Sequence, residues 1–213
     1  MRKTVQDKID SAVFCLYKEL ELRKFPISPA ELILKVRNCG YMSYEEMAKT
    51  SGVTIDDVIR ACRSGDGCTH YDAVSGRYLV TINTGGRSEA RIRWTTAHEL
   101  GHIAAGHFLE ITNKGRIGVS DAEAEGEADY FAASLLAPFV AIRMLYARCP
   151  EDVADLFGIS QAAASIRWAE YTRRGKSPEA LERLFSTRTP KSSGRIYRYH
   201  TDRAIDVWSD GLL

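Results

Sequence analysis

Thr95-Thr96-Ala97-His98-Glu99-Leu100-Gly101-His102-Ile103-Ala104-Ala105-Gly106-His107 is the stretch on which the fold of this chain turns. Ile92, Ala97, Leu100, Ile103 and Ala104 recur at helical spacing, with Ser88 placed to cap the segment and Gly106 to stop it, so one helix is predicted. Histidines four residues apart lie about 40° apart around a helix, so both rings point the same way and can grip one ion. Two imidazoles and a carboxylate with one open position form a catalytic zinc set rather than a structural one. Glu99 directly follows the first ligand, and its side chain can reach a water on the ion without binding the ion. There it can take a proton from the water and later deliver one to a leaving amine. Thr96-Ala97-His98-Glu99 also matches a capping box, which would make Glu99 an N3 residue. The apolar pattern begins a turn earlier, at Ile92, and this disfavours the capping role.

Three of the five histidines fall between positions 98 and 107. The small residues Thr95, Thr96, Ala97, Gly101 and Ala104 allow a second helix to approach and bring a third ligand. The acidic stretch from Asp121 to Asp129 opens that helix, which is expected over 122–136 with Ala128, Phe131, Ala132 and Leu135 as its apolar stripe. Glu123, Glu127, Phe131 and Leu135 form one i, i+4 row, so Glu127 borders the stripe and is the preferred third ligand. Glu123, one turn earlier on that face, is the alternative, although an acidic residue in a first turn also suits the helix dipole. Glu125 lies about 200° from Glu127 around the helix and is expected to face solvent. His107 follows the helix stop and is expected to make a local loop contact. His70, His200, Tyr130 and Tyr171 could each donate to a developing oxyanion, and nothing in the sequence selects among them.

TTAHELGHIAAGH (95–107) followed by EGEADYFAASLLAP (125–138) resembles the ImmA/IrrE-type zinc metallopeptidases. Their pattern is F-T-x-A-H-E-L-G-H and then E-x-E-A-N-x-F-A-A-x-L-L-x-P. The resemblance is good over residues 77–138 and loose elsewhere. It implies a zincin-like fold, one zinc ion per chain, and site-specific cleavage of a helix-turn-helix repressor from a mobile element or stress-response locus. The third ligand in that pattern is the glutamate before Ala-Asn, which falls on Glu127. The departures are Trp94-Thr95-Thr96 for F-T-L, Asp129 for asparagine and Ala137 for methionine; none removes a ligand or the base.

Composition sets the frame around this site. The 213 residues are 45% hydrophobic and 27% charged, values typical of a globular domain. A net charge of +1 gives no global pull toward nucleic acid or anionic lipid. No apolar run approaches the roughly 18–20 residues that cross a bilayer, and MRKTVQDKID does not start a secretory signal. The five cysteines are scattered and contain no C-x-x-C pair, as expected of reduced thiols in a cytoplasm.

Outside the site, helices are predicted at 4–22, from Ser28 to a stop at Gly40, from the Ser43/Glu46 capping box to Gly52, and over about 54–64. Cys68–Asp72 and Arg77–Asn83 read as a hairpin, with Arg77–Asn83 a candidate edge for an extended substrate. Further helices are predicted near 139–147, 151–157, 161–174 and 178–186. Two segments have helix-turn-helix character. Glu45–Val58 would offer Asp56 and Asp57, which phosphates repel. Val153–Trp168 would offer Ser160, Gln161, Ser165 and Arg167, with Arg173 and Arg174 beyond, and is the better candidate of the two for DNA contact, although a helical hairpin packed on the core is the favoured reading. The fold expected is α+β, mostly helical and zincin-like, with one small sheet and a C-terminal helical extension. Its divisions are an N-terminal helical region (1–64), a catalytic core (65–147), the extension (148–186) and a polar, basic tail (187–213). The competing function is a DNA-binding or toxin–antitoxin regulator whose zinc is structural, and such a protein would not need Glu99.

Overall fold

The computed structural model describes residues 3–22, 24–108 and 121–186. The tail from 187 onward, with His200, and most of the loop expected before the second metal helix lie outside the described residues. In chain order the elements are α1 (Lys3–Glu19), α2 (Pro29–Ile33), β1 (Cys39–Ser43), α3 (Tyr44–Ser51), α4 (Ile55–Cys62), β2 (Gly67–Asp72), β3 (Arg77–Ile82) and α5 (Glu89–Ala105). After these come α6 (Asp121–Leu136), α7 (Phe139–Met144), α8 (Pro150–Phe157), α9 (Gln161–Arg174) and α10 (Glu179–Ser186). The class is α+β, mostly helical with one small sheet.

The helix signals in the sequence act as their chemistry predicts. The Ser43 hydroxyl accepts from the Glu46 amide while the Glu46 carboxylate accepts from the Ser43 amide, and Thr54 and Asp57 do the same for α4. Ser88 caps α5, and Gly106 ends it in the left-handed conformation with φ 79°, where glycine meets no Cβ penalty.

The sheet has the order β1-β3-β2. β2 and β3 form the expected hairpin, antiparallel from Gly67↔Ile82 to Asp72↔Arg77. β1 is an addition: it pairs parallel with β3 from Cys39↔Tyr78 to Ser43↔Ile82, where helix had been expected up to Gly40. Cys-Gly-Tyr-Met-Ser has no two-residue alternation, and its partner lies far along the chain, so it carries no local strand signal. β1 also corrects the role expected of Arg77–Asn83: β3 is the central strand, flanked on both sides, and cannot accept a further strand. β2 is an edge.

The core packs α1, α2, α5, α6, α7 and the C-terminal helices on one face of this sheet, with Leu16, Val80, Leu100, Phe131, Leu135, Ile142 and Phe157 fully buried. α5 and α6 lie closest together, with Gly101 set against Ala128. α1 covers α6, and the Tyr17 hydroxyl donates to the Leu135 carbonyl at 2.6 Å. Among the described residues no helix is long and apolar enough to cross a membrane.

α8 and α9 form the expected helical hairpin around Gly158, packed on the core through Val153, Phe157 and Ala164. Arg167, one of the side chains that a recognition helix would offer to DNA, is buried. Its guanidinium donates to the Ala137 carbonyl at 2.8 Å, pairs with Glu170 at 3.1 Å and lies over the Phe139 ring. A guanidinium with a planar stacking partner and a buried acceptor is a packing element.

Candidate metal centre

α5 carries His98, Glu99 and His102, and it stands between the sheet and α6. The histidines lie toward α6, and Glu99 faces β2. This division follows from the helix itself, since consecutive residues are turned by about 100°.

His98 Nδ1 lies 2.9 Å from Asp129 Oδ1 on α6, so the ring donates there and turns Nε2 the other way. That Nε2 lies 3.1 Å from Glu125 Oε2 and 3.1 Å from His102 Nε2. His102 Nε2 lies 3.5 Å from Glu125 Oε1. One ligand atom from each of His98, His102 and Glu125 falls within 4.8 Å of the others. Asp129 and Glu125 are four apart on α6, one turn, so one carboxylate orients the first imidazole while the other faces both.

The carboxylate brought to the imidazole pair is therefore Glu125 and not Glu127, the residue expected there. The Glu127 side chain is only 3% exposed, and Oε2 lies 3.0 Å from His107 Nε2. Glu123, weighed as the alternative, is exposed and outside the cluster. The physical reason is the side of α6 each occupies. Glu127 borders the buried stripe of α6, which packs into protein. Glu125 and Asp129 run along the solvent rim of the same helix, with side chains 60% and 56% exposed, and reach His98 from there.

His107 stands outside the three converging ligand atoms. Its Nδ1 lies 2.8 Å from His102 Nδ1, so it meets the second imidazole from behind.

Charge and burial divide the two rings. Burial pulls the His98 imidazole down, but the Asp129 carboxylate, with Glu99 and Glu125 nearby, outweighs it and the net direction is up. Burial pushes His102 down to about 3, helped by the neighbouring His98 and His107. Asp129 is held below the usual carboxylate range by the His98 hydrogen bond. Two imidazole nitrogens and a carboxylate aimed at one point are three electron-pair donors. Such a set is unfavourable alone and suited to a divalent cation, so the residues fit a metal.

Glu99 is buried, and its Oε2 accepts from the Thr69 hydroxyl of β2 at 2.8 Å. Burial raises its pKa, and the Thr69 hydrogen bond only partly opposes that. Thr69 carries no sequence signal as a site residue; only the pairing of β2 beside α5 reveals it. Of the other oxyanion candidates, the Tyr130 hydroxyl donates to Asp10 on α1 at 2.8 Å, and Tyr171 packs against Phe139 and Trp168.

Residues 58–169, just over half of the chain, match the sequence model of the IrrE N-terminal-like domain, peptidase family M78. No curated protein matches the chain. The matched span runs from α4 through α9 and contains every member of the histidine–carboxylate cluster together with Glu99. By its sequence match, the chain belongs to the IrrE N-terminal-like family, a family of metallopeptidase type.

Proposed function

We propose that the protein is a zinc-dependent endopeptidase of the cytoplasm, with His98, His102 and Glu125 holding the ion and Glu99 acting as the general base. The observation that carries this reading is the convergence of those three ligand atoms within 4.8 Å, with the buried Glu99 on the same helix. A bound zinc ion would supply Lewis acidity to polarise a peptide carbonyl and acidify water.

The chain's own residues would do the rest. Glu99, raised by burial, has the proton affinity to take a proton from an attacking water, and it would then pass that proton to the departing amine nitrogen. The Thr69 hydroxyl keeps the carboxylate aimed. β2 is the sheet edge beside Glu99, so an extended substrate segment would add along it as a further strand. None of the five cysteines is joined in a disulfide, which suits a reducing compartment.

The substrate we propose is a helix-turn-helix repressor cut at one site. The helices outside the metal-bearing pair provide surface for docking a folded partner, which would keep the protease narrow in specificity. The test is to incubate the zinc-loaded protein with the repressor encoded by the neighbouring gene and map any cut by mass spectrometry, with Glu99→Gln as control. Cleavage by the wild type alone supports the reading. Repressor or operator binding with no cleavage under any condition would overturn it in favour of a regulator.

A further inference from the structure

We propose that Glu127 and His107 form a positioning pair that fixes the ring orientation and tautomer of His102 from the side opposite the metal cluster. This rests on the metal-centre reading above and assigns a role to two residues that do not join the cluster. Neither is a ligand here, and both act through His102.

A chain of three contacts carries the inference. Glu127 Oε2 lies 3.0 Å from His107 Nε2, and His107 Nδ1 lies 2.8 Å from His102 Nδ1. A carboxylate oxygen accepts, so the proton of this first contact sits on His107 Nε2. A neutral ring protonated at Nε2 offers a lone pair at Nδ1. The short Nδ1–Nδ1 contact needs one proton, which with His107 in that neutral form comes from His102. His102 is thereby set as the Nδ1–H tautomer, and its Nε2 lone pair faces His98 and Glu125. The reverse tautomer would place a proton on the nitrogen that faces the cluster.

The fold builds this pair. Gly106 ends α5 with φ 79°, and the turn that follows brings the His107 ring under His102, with ring centroids 5.0 Å apart. Glu127 is anchored by burial in the α5–α6 interface, so the outermost member is also the most fixed. His98 receives the same service directly from Asp129. The two imidazoles are thus oriented by different means, one by a single carboxylate at the solvent rim and the other by a histidine backed by a buried carboxylate. Partners of this kind are typically worth about 10–100-fold in metal affinity.

The experiment measures Zn2+ affinity of the full chain at one fixed pH by competition with a chromophoric chelator, alongside the visible spectrum of the Co2+-loaded protein. His107→Phe keeps ring volume and removes both nitrogens, while Glu127→Leu fills the buried space and removes the acceptor. Each is expected to weaken Zn2+ binding by about 10–100-fold and to change the Co2+ spectrum. His107→Gln and Glu127→Gln, which retain an acceptor or donor at the right place, should recover most of the affinity if the larger changes disturb folding. Because the residues act in series, the double variant should lose no more than either single one. His102→Ala separates the two levels of the hypothesis: if it leaves Zn2+ affinity unchanged, the metal-centre reading fails. If His102→Ala abolishes binding while His107→Phe and Glu127→Leu retain wild-type affinity, the positioning pair is overturned and the centre stands. Loss of all binding in Glu127→Leu with none in His107→Phe would also overturn it, by making Glu127 a ligand.

Discussion

Gly101 of α5 lies against the backbone of Ala128 on α6, so that a Cβ added at Gly101 would stand 2.9 Å from both the Ala128 Cα and its carbonyl oxygen. Backbone atoms in a packed helix cannot step aside, and Phe131 Cβ closes the third direction at 3.1 Å. Gly101→Ala should therefore lower stability by about 1–3 kcal/mol, despite the better helix propensity of alanine. At this chain length that is a fall in Tm of about 2–4 °C per kcal/mol. Gly126, also in α6, meets nothing within 4 Å, and Gly126→Ala should raise Tm slightly. Thermal melts of the two variants side by side check both signs.

If the proposed metal centre is correct, the two rim carboxylates differ in what they would do to the ion. Glu125→Ala should abolish stable zinc binding, because the imidazole pair alone leaves the set without its carboxylate. Asp129→Ala removes only the group that orients His98 and should weaken binding by about 10–100-fold. Asp129→Asn keeps an acceptor oxygen for His98 Nδ1 and should stay near wild type. Zinc per chain after dialysis against a weak chelator distinguishes the three.

Glu99→Gln is expected to preserve fold and zinc content while cleavage falls by at least about 10²–10⁴-fold. Thr69→Val removes one neutral hydrogen bond to the same carboxylate, worth about 1 kcal/mol, so its loss in kcat should be only several-fold. Single-turnover cleavage of the repressor, measured for both variants at equal zinc loading, provides the comparison. Equal activity of Glu99→Gln and wild type would remove Glu99 from the mechanism.

Stability should also vary with pH at the start of α5. Asp66 is held below the usual carboxylate range, chiefly by the Arg91 hydrogen bond with Arg87 adding to it. A depressed carboxylate contributes stability that is fully present above its unfolded value of about 3.9 and is lost as pH falls through its folded value. Asp66→Asn should thus have a lower urea midpoint than wild type at pH 7, and the gap should close under acid conditions. A gap of the same size at both would refute the assignment.

How far the site was legible in the sequence depended on whether a residue's role was local. The shared face of His98 and His102 and the different direction taken by Glu99 follow from helix geometry alone, and the capping at Ser43, Ser88 and Gly106 is equally local. Which carboxylate approaches the pair was not, because periodicity identifies the buried stripe of α6 and favours Glu127 beside it, whereas Glu125 and Asp129 reach His98 from the exposed rim. Thr69 and β1 were invisible for a related reason: each acquires its role only from a strand pairing across the sheet. Arg167 is the converse case: its charge and helical position read equally as surface or interior, and only the Phe139 ring and the Ala137 carbonyl, both outside its own helix, turn it inward.

Arg93, near the start of the metal-bearing helix, donates to the carbonyls of Ile27 and Gly158. One guanidinium thus laces together the chain before the sheet, the helix that bears the site and the turn of the C-terminal hairpin. Excising either flank would strand a half-buried cation and expose core residues of α1 or α8 to water. The sequence segments on either side of the motif are consequently not detachable modules. A fragment spanning the histidine and glutamate motifs alone would lack both of the carbonyls that Arg93 holds.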